Sequence, residues 1–281
     1  MKRLLYGIYT LLFLVACGVP KQKSAPITTS TTEQEDSLIE FSDSLGIYLE
    51  EPGLPEVDRL FDDFIFAFAS DEALHKKRIN FPLSFNDKGK KRQIQESAWK
   101  HDSLFIQQSY YTLLFDNEQE MDLIADTLIS SVQVEWLSLA DREIKSYDFE
   151  RKEGRWMLED ITLRKMRKGD GEDFLSFYTR FVTDSLYQSK HICNPLRFVT
   201  IDPDDEFSIL ETTLDLNQWY AFRPMLPVGY LSNICYGQRN EDNARRKILK
   251  VNGIGNGYSI IFYFRKRAGE WELYKYEDTG V

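Results

Sequence analysis

FDDFIFAFASDEALHKKRINFPLSF, residues 61–85, and FLSFYTRFVTDSLYQSKHICNPLRF, residues 174–198, superimpose at a constant offset of 113 with no gap. Phe61, Phe64, Phe68, Asp71, Lys77, Ile79, Pro82, Leu83 and Phe85 recur as Phe174, Phe177, Phe181, Asp184, Lys190, Ile192, Pro195, Leu196 and Phe198. Nine identities in 25 positions compare with about one or two from average residue usage. Further on, Phe149, Gly154, Trp156 and Leu158 recur as Phe264, Gly269, Trp271 and Leu273, at offset 115. Two matches in the same order make the chain a duplication, with a period too long for a solenoid.

Each repeat reads the same way. Phe61, Phe64, Ile65 and Phe68 fall at i, i+3, i+4 and i+7, the buried stripe of an amphipathic helix, and Phe174, Phe177, Tyr178 and Phe181 repeat it. Asp71 and Asp184 stand where an N-cap starts a second, short helix. Pro82 and Pro195 are expected to stop that helix and open an extended run. Val132, Val134 and Trp136 alternate with Gln133 and Glu135, which predicts a half-buried strand with its polar side in water. Tyr147–Arg151 and Trp156–Leu158 read as a hairpin turning at Gly154, and Phe262–Arg265 and Trp271–Tyr274 as one turning at Gly269. The charged run Arg245–Lys250 reads as helical, and the glycine-bearing stretch Arg164–Glu172 places a seam near Gly169.

Two helices, an extended segment and a strand meander, in that order, resemble the nuclear-transport-factor-two-like fold, also called ketosteroid-isomerase-like or cystatin-like. The whole chain is similar to a family of Bacteroides lipoproteins built from two such units and without a characterised function. The resemblance spans about residues 54–281 and rests on element order and the repeat, not on a catalytic motif. It implies an α+β protein of two tandem cone-shaped domains, each with N-terminal helices packed on a strongly curved antiparallel sheet and often a pocket at the open end. The first domain is placed at residues 37–168 and the second at 169–281, and the two are expected to fold separately.

The amino terminus carries an address. Lys2 and Arg3 precede an apolar run, Leu4–Val15, too short to span a bilayer. The run ends Leu14-Val15-Ala16-Cys17-Gly18, which resembles the lipobox of bacterial lipoproteins. Residues 1–16 then form a signal peptide, Cys17 is the acylated residue, and residues 17–36, rich in Ser, Thr, Lys, Gln and Pro, are a flexible tether. Loss of Lys2 and Arg3 takes the net charge from −10 to −12. An acidic body gains nothing from an anionic lipid surface or from nucleic acid, so the acyl chains are the membrane contact. No acidic run follows Cys17, which favours the periplasmic face of the outer membrane over the cell surface.

No motif commits the chain to a reaction. Ser97-Ala-Trp-Lys100 matches the Ser-x-x-Lys of penicillin-recognising enzymes without their other motifs. Gly253-Ile-Gly255-Asn-Gly257 has its strand after rather than before the glycines, so it reads as a turn and not a phosphate cradle. Asp202-Pro-Asp204-Asp205-Glu206 lacks the glycine and closing glutamate of a calcium loop. His75, His101 and His191 have no metal-ligand spacing, so neither a metal nor a cofactor is expected. Glu135, Asp148, Glu211 and Asp215 read as the wet face of strands and take no catalytic role.

A non-enzymatic module binding a small organic ligand or an envelope protein is the leading reading. A pocket isomerase or hydrolase, and a structural subunit of an envelope complex, are the alternatives. Trp219, Tyr220 and Arg223 lie near where Tyr110 and Tyr111 lie in repeat one, in a segment that differs most between the repeats. They are the candidate ligand-binding residues, with repeat two the recognition half and repeat one scaffold. Cys193 and Cys235 are either a disulfide or two buried thiols. Replacing Cys17 with Ser should move the protein from the membrane to the soluble fraction on cell fractionation; unchanged membrane association would contradict the anchor.

Overall fold

The Phe stripes organise both halves. In the computed structural model, which describes residues 56–238 and 244–280, α2 (Phe61–Ser70) buries Phe61, Phe64, Ile65 and Phe68, and α4 (Glu172–Thr183) buries Phe174, Phe177, Tyr178 and Phe181. A short helix, α1 (Glu56–Arg59), precedes the first. Asp71 accepts hydrogen bonds from the Ala73 and Leu74 amides to cap α3 (Glu72–Lys77), and Asp184 accepts from Tyr187 to cap α5 (Ser185–Lys190).

The strands of the first half are β1 (Ile79–Asp87), β2 (Lys90–Ile94), β3 (Tyr110–Phe115), β4 (Ser131–Ser138), β5 (Glu143–Lys152) and β6 (Arg155–Lys165). The second half runs β7 (Ile192–Asp202), β8 (Asp205–Leu214), helix α6 (Leu216–Phe222), β9 (Tyr230–Cys235), β10 (Arg246–Gly253), β11 (Ser259–Arg267) and β12 (Glu270–Asp278). The β5–β6 and β11–β12 hairpins turn at Glu153-Gly154 and Ala268-Gly269, all four residues at positive φ, the conformation that matches strand twist in a two-residue loop. Each sheet is mixed rather than wholly antiparallel, because β1 pairs parallel with β6 and β7 with β12.

Pro82 and Pro195 do not stop the short helices, which have ended at Lys77 and Lys190. They lie inside β1 and β7, where the register to the parallel neighbour shifts between Ile79 and Ser84 and between Leu273 and Lys275. A residue without an N–H is tolerated at such an interruption. Arg245–Lys250 is not helical: Ile248, Leu249 and Val251 are buried in β10. Asp215 caps α6 by accepting from the Asn217 and Gln218 amides, so it is not a strand residue.

The order of strands carries the main surprise. One sheet reads β2-β1-β6-β5-β4-β9 and the other β3-β10-β11-β12-β7-β8. Each half therefore gives its third strand to the other half's sheet: β9 pairs antiparallel with β4, and β3 with β10. The exchanged strands also meet each other. Thr112 donates its amide to Ser232 Oγ at 2.7 Å, Ser232 Oγ donates to the Thr112 carbonyl at 3.1 Å, and the Leu114 amide donates to Asn233 Oδ1 at 2.9 Å.

The exchange mixes the cores. The first core joins Val134, Tyr147, Phe149 and Ile161 of one sheet to Tyr111, Leu113, Phe115, Ile248 and Tyr263 of the other. The second joins Leu249, Val251, Phe262 and Phe264 to Leu137, Ile144 and Leu231. Alternate residues of β3 thus face opposite cores, Leu113 the first and Leu114 the second. Each long helix packs between the inner face of its own sheet and the outer face of its partner sheet. The seam near Gly169 falls in the short turn before α4, but neither half holds a complete sheet or core. Exchanged strands and mixed cores argue that the halves unfold together rather than separately.

Burial on this scale sets the cost of core truncation. Phe64→Ala and Phe177→Ala should each destabilise by about 3–5 kcal/mol. Calorimetry should show one transition shifted as a whole, and a fragment of residues 56–168 should remain unfolded. Two resolved transitions, only one of them shifted, would contradict the shared cores.

Candidate functional site

Beyond its aromatic core, the inner face of the first sheet continues to an open end. Trp136 and Ser138 of β4, Glu143 and Lys145 of β5, Leu163 of β6 and Tyr230 of the exchanged β9 line a concavity of about 340 Å³ there, with Gln108 and Asp141 at its rim. Register places them together: Trp136 lies opposite Lys145 and Ser232, Lys145 opposite Leu163, and Ser138 opposite Tyr230. The Trp136 and Tyr230 rings meet edge to face at 6.2 Å, and Tyr230 is 52% exposed. An aromatic pair with one ring in water and polar groups around it is a recognition surface.

The charged groups of this mouth are already paired. Asp102 accepts from Tyr147 Oη at 2.6 Å and from Lys145 Nζ at 3.0 Å. Burial raises its pKa, but Lys145, the Tyr147 hydroxyl and the Leu104 amide outweigh that and hold the carboxyl below its usual range. Burial and the Asp102 charge push the Tyr147 phenol far up, so it remains a donor. Glu143 pairs with Lys88 at 2.6 Å and Lys165 at 2.9 Å, and these bonds lower its pKa. Asp141 accepts from Ser138 Oγ at 2.8 Å. A general base at neutral pH needs a carboxylate pushed upward, and neither Asp102 nor Glu143 is.

Raised carboxylates lie elsewhere. Asp62 of α2 is raised by burial and accepts from the Tyr236 hydroxyl, but it packs between helix and sheet beside Tyr111, whose pKa is pushed up to about 12. Glu135 is 5% exposed, not on a wet face. It points away from the mouth, into the junction between the halves, and accepts from Asn233 Nδ2 at 3.0 Å; burial raises its pKa. Asp148 is raised by burial and accepts from Gln133, while Glu211 is exposed and paired with Arg197 at 2.8 Å. Asp202 and Asp205 accept from the Asp204 and Phe207 amides, and among the described residues no group of three His, Cys, Asp or Glu side chains could hold a metal.

Trp219, Tyr220 and Arg223 do converge, but on α5 rather than on a ligand cavity. Trp219 is fully buried, donates to Gln188 Oε1 at 3.2 Å and meets the Tyr276 ring at 5.7 Å. Tyr220 donates to the Ser185 carbonyl at 2.8 Å, and Arg223 lies over the Tyr220 ring and donates to Gln188. Trp219 is therefore packed in the core, where the sequence suggests a recognition residue. Arg223 alone borders an outer depression with Met225 and Val228. Tyr110 and Tyr111 match Tyr230 and Leu231 in the repeat, not Trp219 and Tyr220, because β3 and β9 are the equivalent strands. Cys193 and Cys235 are free thiols. Cys193 lies on β7 beside Arg265, and Cys235 on β9, in the other sheet, beside Glu135.

The open end belongs to the first cone, whereas the notable segment of the sequence lies in the second repeat. At offset 115 the counterparts of Trp136 and Lys145 are Val251 and Ile260, 2% and 1% exposed. The inner face beside them is filled by Phe198, Tyr276 and Phe262, stacked at 5.1 and 5.4 Å. Sequence reasoning passed over Trp136 as a strand residue and Tyr230 as a member of another site. Only the strand exchange brings them together.

Two curved sheets, each holding a long helix, with one cone open at its end, define an NTF2-like α+β protein. An NTF2-like protein from Bacteroides fragilis, known from its crystal structure, is similar over most of the chain: 56% identity and a TM-score of 0.77, covering 82% of this chain and 100% of that one. No curated protein matches. The chain belongs to the family described as a domain of unknown function, DUF4348, whose profile matches residues 42–278.

Glu135 allows a pH test. A carboxyl with a raised folded pKa binds its proton more readily when folded, so stability is lost as pH rises through the range between the unfolded value and the folded one. Glu135→Gln should raise the melting temperature at about pH 8 and make little difference near about pH 4. A variant less stable at the higher pH would contradict the burial argument.

Proposed function

We propose that the mouth of the first cone binds a small amphipathic organic molecule, and that the protein is a binding module of the cell envelope rather than an enzyme. The observation that carries this reading is the pairing of an open aromatic site with carboxylates already neutralised by Lys145, Lys88 and Lys165. Such a site can stack a ring on Trp136 and Tyr230 and orient a polar group against Lys145, Ser138 and Gln108. Its volume lies near the lower end for small-molecule sites. An isomerase of this fold would need an unpaired carboxylate base aimed into the pocket, and neither Asp102 nor Glu143 fits.

The lipid anchor at Cys17 lies outside the described residues. The order of Lys2 and Arg3, an apolar run and the Ala16-Cys17-Gly18 step supports it, as does an acidic body that needs another way to hold a membrane. Among the described residues no helix is long and apolar enough to cross a bilayer. In this reading acyl chains hold the protein at the periplasmic face of the outer membrane, and the tether presents the cone to its ligand. An envelope protein as partner is the second reading. It is favoured by Phe222, Met225 and Val228, which stand 67%, 88% and 56% exposed beside α6.

The fluorescent probe 1-anilinonaphthalene-8-sulfonate joins an aromatic system to an anion and suits the first reading. Wild-type protein should bind it saturably, and Trp136→Ala and Tyr230→Ala should each weaken binding by about tenfold or more, about 1.4 kcal/mol. Met225→Ala should not change it. Equal binding by all variants would reject the mouth as the site, and native mass spectrometry of protein from its own host would show whether a molecule is retained.

A further inference from the structure

Helices α3 and α5 occupy the same place in the duplication, and each carries a side chain that reaches back to the preceding long helix. Gln188 donates Nε2–H to the Phe181 carbonyl at 2.9 Å, and His75, at the matching position, bonds through Nδ1 to the Phe68 carbonyl at 2.9 Å. A tryptophan stands beside each, Trp219 and, 120 residues earlier, Trp99. In the second half the polar atoms are used: Gln188 Oε1 accepts from Trp219 Nε1 and from Arg223.

The first half departs from this pattern. Trp99 lies nearly parallel to His75 with ring centroids 5.7 Å apart, and His101 packs on His75 at 4.5 Å. His101 bonds through Nε2 to the Ala69 carbonyl at 2.9 Å. A carbonyl only accepts, so both neutral rings carry their proton on the nitrogen facing it. The lone pairs are then on His75 Nε2 and His101 Nδ1. Neither atom has a hydrogen-bond partner, nor has Trp99 Nε1, although all three are buried. His75 is 1% exposed, whereas His101 and Trp99 reach the surface.

Imidazole nitrogens whose opposite N–H is held by a backbone carbonyl form the usual donor and supporting layer of a borderline cation. We propose that His75 and His101 form a two-histidine site for a divalent transition-metal cation of the zinc, copper and nickel class. Water admitted from the partly exposed Trp99 and His101 side completes the coordination, and Trp99 Nε1–H donates to it. Asp102, next in the chain, is taken up by Lys145 Nζ and the Tyr147 hydroxyl, so it leaves the two imidazoles as the donors. The site is a departure of one repeat from the other, at a position both otherwise use for packing.

Zinc chloride titrated into the metal-free mature protein, followed by calorimetry and by histidine side-chain NMR, tests this. One ion per chain should bind, with the His75 and His101 resonances shifting. His75→Gln installs the side chain that the second half uses and retains a donor for the Phe68 carbonyl. It should fold normally and weaken binding by more than about tenfold; His101→Gln should do the same. No saturable binding, or unchanged affinity in folded His75→Gln, overturns the proposal.

Discussion

The exchange of β3 and β9 is the constraint on which the rest of the structure depends. A sheet that ended at β4 or β10 would present a long unpaired edge, and the other half's strand covers it. Because alternate side chains of a strand point to opposite faces, each exchanged strand serves two cores at once. Leu113 faces α2, Leu114 faces α4, and Thr112, just before them, bonds Ser232 across the junction. A duplicated pair of cones thereby shares its sheets and cores, and is expected to unfold as one body. The polar atoms at that junction are correspondingly well used: Asn233 accepts from Leu114 and donates to Glu135.

With the scaffold shared, the two cone mouths are free to differ. Val251 and Ile260 close the second, with Trp219 and Tyr276 packed behind them. Trp136 and Lys145 leave the first open, and Tyr230, supplied by the other half, completes its wall. The asymmetry between the cone mouths therefore sits at positions that are equivalent in the fold and different in chemistry. The His75–Gln188 pair is a second instance, one place and one backbone bond with two different far ends.

Much of the fold was legible in the sequence. The Phe stripes, the Asp71 and Asp184 caps and the glycine hairpins are local signals, set by periodicity and by which residues tolerate a given φ. The exchange was not legible, because β3 reads as a strand whichever sheet it joins. The Trp136 pattern predicted an alternating strand correctly but assigned Glu135 to water, since nothing local shows that a second sheet covers the outer face. Trp219 looked special through comparison with Tyr110 and Tyr111. Its true counterpart, Trp99, lies at an offset of 120 rather than 113 or 115, and a loop-length change hid the match.

The shared body is tested most directly by native-state hydrogen exchange of the exchanged strands. The amides of Leu113 and Phe115, and of Leu231 and Asn233, should exchange only through global unfolding, with the same opening free energy as β4 and β10. Opening of β3 at lower free energy, with β10 to β12 still protected, would show that the strands are appended rather than integral. It would contradict the account.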